Sequence, residues 1–179
     1  MLSLLSAELL RALWIFLPAG AANIFPPLSR FIKNRHPIDF GIKLGNERLF
    51  GDGKTWEGFI IGLAASISVG TIEYLLYPLI SQYTSILPAL TPLTIIIIPI
   101  GALVGDMFGS LVKRRLEMKR GENAMFLDQL DFIVGAMIFT YPLIDYTWLM
   151  IVLILILAFV FHRITSIIGY KLKVKREPW

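Results

Sequence analysis

Apolar runs of roughly 20 residues recur along this chain, about what a helix rising 1.5 Å per residue needs to cross a hydrocarbon core about 30 Å thick. That feature decides the class of fold. With 56% hydrophobic and only 17% charged residues among 179, against about 25% charged in a soluble globule, the chain is too apolar for a water-facing exterior. Mean hydropathy is +0.70. Disordered, disulfide-scaffold and solenoid classes are excluded. The absence of cysteine removes thiolate zinc sites, iron–sulfur clusters and cysteine nucleophiles. Chemistry falls to carboxylates, amines and hydroxyls.

The pattern predicts an all-α integral membrane protein, a single transmembrane domain over residues 1–179 with five spans at about 4–28, 58–78, 88–112, 124–144 and 147–168. The first run is too long for a signal peptide, carries Glu8 and Arg11, and lacks a small-residue cleavage site. The fourth constrains most. Only residues 132–144 separate Asp131 from Asp145, too few to cross, so the helix is expected to begin near Ala124 and to draw Asp128 and Asp131 into the edge of the apolar slab.

Lys and Arg set the orientation, because they stay on the cytoplasmic side. All 17 except Arg11 fall in residues 29–57, 113–120 or 163–176, and none in 79–91 or 142–147. The expected topology has the N-terminus outside, the C-terminus cytosolic, and two cytosolic loops at about 29–57 and 113–123. The net charge of +4 is then addressed to anionic headgroups of membrane lipids, not to nucleic acid; the tail Lys171-Leu-Lys173-Val-Lys175-Arg176 reads that way. His36 and His162 read as interfacial.

A carboxylate inside a span costs about 2.5–3.5 kcal/mol and asks for a partner or a function. Asp106 lies 15 residues past Thr91 and Asp131 lies 14 before Asp145, or about 22 and 21 Å deep. They share a level, and Asn23 of the first span falls near it. Asp106, Ser110, Lys113 and Arg114 follow helical spacing on the third span, as do Asp128 and Asp131 on the fourth. Three carboxylates suit a hard divalent cation, magnesium above all. The cations suit phosphates, and together they fit phosphoryl or nucleotidyl transfer. Glu73 has no evident partner and reads as an outer-half contact; Glu8 and Arg11 are expected to pair.

Gly51-Asp52-Gly53-Lys54-Thr55 is not a P-loop: Arg48 stands where that motif needs Gly, and no soluble α/β unit surrounds it. Lys54 and Thr55 still offer a cation and a hydroxyl beside the second span's N-terminus, as a phosphate contact or as the turn leading into the helix. Gly101, Gly105 and Gly109 form a small-residue face for an internal neighbour or a second protomer, which leaves the oligomeric state open.

Ser110-Leu-Val-Lys113-Arg114, then Lys119, then Asp128-Gln129-Leu130-Asp131 resembles the signature of the CDP-diacylglycerol synthase superfamily of membrane cytidylyltransferases, S-x-x-K-R-x4-K-D followed by D-R-x-D. Arg120 stands in place of the family's Asp, Gln129 in place of its Arg, and the His-Gly-Gly segment is missing. These departures, the small size and the Gly51–Gly58 loop are similar to the archaeal branch, the CDP-archaeol synthases. The resemblance implies transfer of CMP from CTP to an isoprenoid ether lipid phosphate, 2,3-bis-O-geranylgeranylglycerol 1-phosphate, with Mg2+. It implies Asp106, Asp128 and Asp131 as metal ligands and catalytic groups, with Lys113 catalytic as well. Lys113, Arg114 and Lys119 would act on the leaving pyrophosphate, and Asn23, Lys54, Thr55 and Ser110 would orient nucleotide or lipid phosphate. The competing expectation is a small transporter with a midmembrane carboxylate site.

Overall fold

The computed structural model describes residues 3–45, 47–118, 122, 124, 126–175, 177 and 178. Five helices carry the chain: α1 (Leu4–Ile24), α2 (Trp56–Ile80), α3 (Pro92–Arg115), α4 (Leu127–Thr140) and α5 (Trp148–Lys171). A 3-10 turn, Pro26–Phe31, follows α1. The antiparallel pair β1 (Lys43–Leu44) and β2 (Glu47–Arg48) lies between that turn and α2. Among the described residues, α1 with its following turn, α2, α3 and α5 are long and apolar enough to cross a membrane.

Those four helices start on hydroxyl side chains. Ser3, Thr55, Thr91 and Thr147 accept from the amides of Ser6, Gly58, Thr94 and Met150 at 3.2, 3.2, 3.2 and 3.1 Å. Each bond satisfies one amide that a first turn leaves without a partner. Prolines mark boundaries for the complementary reason: α1 stops just ahead of Pro26-Pro27, and Pro92 opens α3, where a missing N–H costs nothing.

The fourth helix departs from the expected 124–144. At 14 residues it covers about 21 Å, well short of a hydrocarbon core. Phe126 sits in the left-handed region at φ +72°, so the helical run starts only at Leu127. The Asp128 carboxylate accepts from the Ala124 amide at 3.3 Å, holding the preceding segment across the first turn instead of extending it. At the other end Thr140 Oγ1 donates to the Ala136 carbonyl at 2.7 Å and bonds the Tyr146 hydroxyl at 2.7 Å. Pro142 follows with no amide to give.

This short helix is fixed by a glycine seam. A Cβ at Gly101 would lie 2.8 Å from the Gly135 carbonyl oxygen; one at Gly105 would overlap the Asp131 carbonyl, and one at Gly135 would overlap that of Gly101. The stripe on α3 therefore serves α4, an internal neighbour, and the two backbones touch. Around the seam pack Ile15, Phe16, Ile98, Phe132, Ile133, Met150 and Ile154, all essentially inaccessible. The periphery is just as apolar, with Ile60, Leu75, Ile138 and Trp148 well exposed, as suits a solvent of lipid chains.

At the end away from the cavity described below, Arg11 donates to Glu8 at 3.0 Å, the expected pair. Thr147 adds a bond to the same carboxylate at 2.8 Å, tying α1 to the start of α5. Glu73 is buried on α2, and neither of its carboxylate oxygens has a hydrogen-bond partner among the described residues.

Candidate active site

A cavity of about 600 Å³ opens at the end of the bundle where α1 and α3 finish and α2 and α4 begin. Asn23, Lys54, Thr55, Asp106, Lys113 and Asp128 line it, so residues from distant parts of the chain meet around one cavity. Each is placed by a local feature. Asn23 lies in the last turn of α1, just before the prolines. Thr55 is the cap of α2 and presents Lys54 from the last residue before it, while backbone bonds from Ile38 to the Lys54 carbonyl (3.1 Å) and from Trp56 to the His36 carbonyl (2.9 Å) pin that segment. The Glu57 carboxylate adds bonds to the His36 amide at 3.0 and 3.1 Å and to its ring at 2.7 Å. His36 is thus a loop fastener on an exposed edge.

The charges on the wall are matched. Lys54 pairs with Asp106, and Lys113 pairs with Asp128. Asp131 lies beneath, its Oδ1 accepting from the Phe132 amide at 2.6 Å and its buried Oδ2 without a hydrogen-bond partner among the described residues. Asp106, Lys54 and Lys113 are its charged neighbours. A Cβ on Gly109 would overlap the Asp131 carboxylate, so α3 approaches here as closely as a backbone can.

Other expected site residues are placed differently. Ser110 is 5% exposed and packed inside, away from the cavity lining. The side chain of Arg114 runs past Gly51, 3.5 Å from where a Cβ would stand, and braces the loop instead of facing the cavity. The helical face carrying Asp106, Ser110, Lys113 and Arg114 is therefore split between cavity, interior and loop. Lys119 lies outside the described residues. The wall also includes residues read differently from the sequence: His162 of α5, expected at the interface, is buried at the cavity, and Lys175, expected among headgroups, turns into it. Arg30 and Arg35 join them.

A divalent cation needs several oxygen donors that converge. Among the described residues no three His, Asp or Glu side chains converge closely enough to hold one, because lysines engage Asp106 and Asp128. The chemistry nonetheless fits a hard cation: all the candidate donors are carboxylate oxygens, and the Asp131 oxygen at the base is buried and unused.

Carboxylates and cations gathered in a cavity at one end of an apolar helical bundle define a membrane enzyme that works on an anionic group. The family model described as CarS-like, CDP-archaeol synthase, matches residues 1–179. CDP-archaeol synthase of Pyrococcus abyssi is 40% identical over 169 residues, 94% of this chain and 96% of the relative; that of Pyrobaculum islandicum is 40% identical over 173 residues, 96% and 99% of the two chains. A solved intramembrane enzyme for archaeal membrane lipids biosynthesis superimposes with a TM-score of 0.75 at 35% identity, covering 89% of this chain and 94% of that one. The chain belongs to the CDP-archaeol synthase family. It is a multi-pass membrane enzyme of the cytidylyltransferase class, and the transporter alternative is set aside.

Proposed function

We propose that this enzyme transfers CMP from CTP to 2,3-bis-O-geranylgeranylglycerol 1-phosphate, releasing pyrophosphate, and that Mg2+ is its cofactor. The observation that carries the reading is the meeting of Lys54, Asp106, Lys113 and Asp128 around one cavity, over Asp131 with its buried Oδ2. An oxygen of the lipid phosphate attacks the α-phosphorus of CTP; a phosphoanhydride bond forms, and the bond from the α-phosphorus to the oxygen bridging to the β-phosphate breaks, that oxygen leaving with pyrophosphate. The attacking oxygen is already anionic at neutral pH, so no general base is required. The task left to the protein is to bring two polyanions together and to neutralise the charge on the departing pyrophosphate.

Lys54 and Lys113 do this by exchanging a carboxylate partner for a phosphate oxygen as substrate enters. Asn23 and Thr55 orient the phosphates. Arg114 braces the loop that presents Lys54, and Lys119, by its place in the motif, contacts the pyrophosphate. Bound Mg2+ would lower the repulsion between the two substrates, with Asp106, Asp128 and Asp131 as the residues to hold it.

The same reading sets five crossings, with the N-terminus outside and the cavity facing the cytosol. Asp128 at the start of α4 and His162 toward the end of α5 both reach the cavity. This supports α4 carrying the chain from one end of the bundle to the other despite its length. The cavity end is also the end that holds the basic segments, and a cytosolic mouth at headgroup depth admits CTP from water while the lipid keeps its chains in the bilayer. The test is turnover by the purified protein in mixed micelles: CTP, Mg2+ and the ether lipid phosphate yield a CDP-lipid and an equal amount of pyrophosphate. Nucleotide left intact by a monodisperse sample contradicts the assignment.

A further inference from the structure

The chain after α5 is a strap over the cavity. Leu172 closes the helix with a bond to the Ile168 carbonyl at 2.9 Å; Lys173 then takes φ +58°, and the amides of Val174 and Lys175 both return to the Gly169 carbonyl, at 2.7 and 2.9 Å. Such a reversal satisfies the carbonyls left at a helix end and turns the chain back along its own helix. Lys175 Nζ consequently donates to the buried Ser166 Oγ at 2.7 Å. Arg30 donates to the Lys173 carbonyl, fastening the strap to the turn after α1.

Lys175 and Arg30 both line the cavity. Lys54 and Lys113 already have carboxylate partners, whereas Lys175 makes no ion pair among the described residues. Burial pulls its ammonium below the usual lysine range, while Asp106 and Asp128 pull it back up. A half-buried cation so placed gains from the arrival of an oxyanion, which supplies the charge-assisted bonds it lacks.

We infer that Lys175, delivered by this strap, is a ligand for a phosphate oxyanion in the cavity, and that Ser166 and Arg30 are positioning residues that hold it there. The oxyanion belongs either to the nucleotide triphosphate or to the lipid phosphomonoester. The inference rests on the cytidylyltransferase reading for the identity of those two substrates.

The test compares the full-length enzyme with Lys175→Met and Lys175→Arg, measuring KM for CTP at saturating lipid and KM for the lipid phosphate at saturating CTP. The expected result is a rise of about tenfold in one KM for Lys175→Met, with kcat within about threefold and most of the loss recovered by Lys175→Arg. Whichever KM moves names the source of the oxyanion. Both KM values within twofold of wild type, or an Arg variant as impaired as the Met variant, would overturn the inference. A second measurement needs no variant: acetylation of Lys175 in the wild-type protein, followed by mass spectrometry, is expected to slow with tripolyphosphate or lipid phosphate while exposed Lys33 reacts unchanged. Equal Lys175 rates with and without these anions would also overturn it. Protection of Lys175 in a protein that does not turn over CTP would keep the strap and retire the cytidylyltransferase reading.

Discussion

The α-carbon of Gly109 lies against the carboxylate of Asp131, so closely that the smallest side chain would overlap it. The contact joins fold to site: the seam that holds the short α4 against α3 also places the Asp131 carboxylate. Gly105→Ala and Gly109→Ala are therefore expected to cost about 1–3 kcal/mol through overpacking and to lower turnover with it. Gly70→Ala, whose Cβ would meet side-chain atoms of Ile95 at 3.3 Å and no backbone, is expected to cost under about 1 kcal/mol. Thermal unfolding in detergent checks the order; equal effects at the three glycines would contradict it.

Lys54 and Asp106 are expected to act as a unit. A double-mutant cycle with Lys54→Met and Asp106→Asn, read as kcat/KM, is predicted to show a coupling of about 0.5–3 kcal/mol, the double variant losing less than the two single losses combined. Strict additivity would mean that the pair is not used together. The same holds for Lys113 with Asp128.

The loop between α1 and α2 contains its own acid-sensitive lock. Burial works against charge on Asp39, but bonds from Arg48 and from the amides of Gly41 (3.0 Å) and Phe50 (3.3 Å) outweigh it and hold the carboxyl below its ordinary 3.8. The lock is whole above that ordinary value and is lost as pH falls through the lowered one. A spin label on Leu44→Cys, clean because the chain has no other cysteine, is expected to gain mobility on acidification below about pH 4. With Asp39→Asn added it should be mobile throughout. An unchanged spectrum across that range would remove the lock.

Orientation is open to the same labelling. Single cysteines replacing Ser85 and Asn34, both exposed, are predicted to behave oppositely toward an impermeant maleimide applied outside sealed cells: Ser85→Cys reacts, and Asn34→Cys reacts only after permeabilisation. The reverse pattern would invert the topology.

Much of this arrangement is legible in the residues, for identifiable reasons. Hydroxyl caps and prolines mark the ends of the long helices. The depth match of Asp106 and Asp131 survives because α3 and α4 meet along glycines, which leave no room for an offset. Three things were not legible. The start of α4 depends on a left-handed Phe126, a conformation that a phenylalanine does not advertise. Helical spacing puts Ser110 and Arg114 on the side of Asp106, but the loop carrying Lys54 covers only part of that face. The basic tail reads as a surface tract until Lys173 at φ +58° reverses it and brings Lys175 to the cavity beside His162.

The most direct measurement is CDP-lipid formation from CTP and the ether lipid phosphate by purified wild-type protein and by Asp131→Asn, each with and without Mg2+. The account predicts metal-dependent product from the wild type and a loss of about a hundredfold or more in a variant that still inserts and purifies. Near-normal turnover by Asp131→Asn, or product formed equally well without a divalent cation, would contradict it.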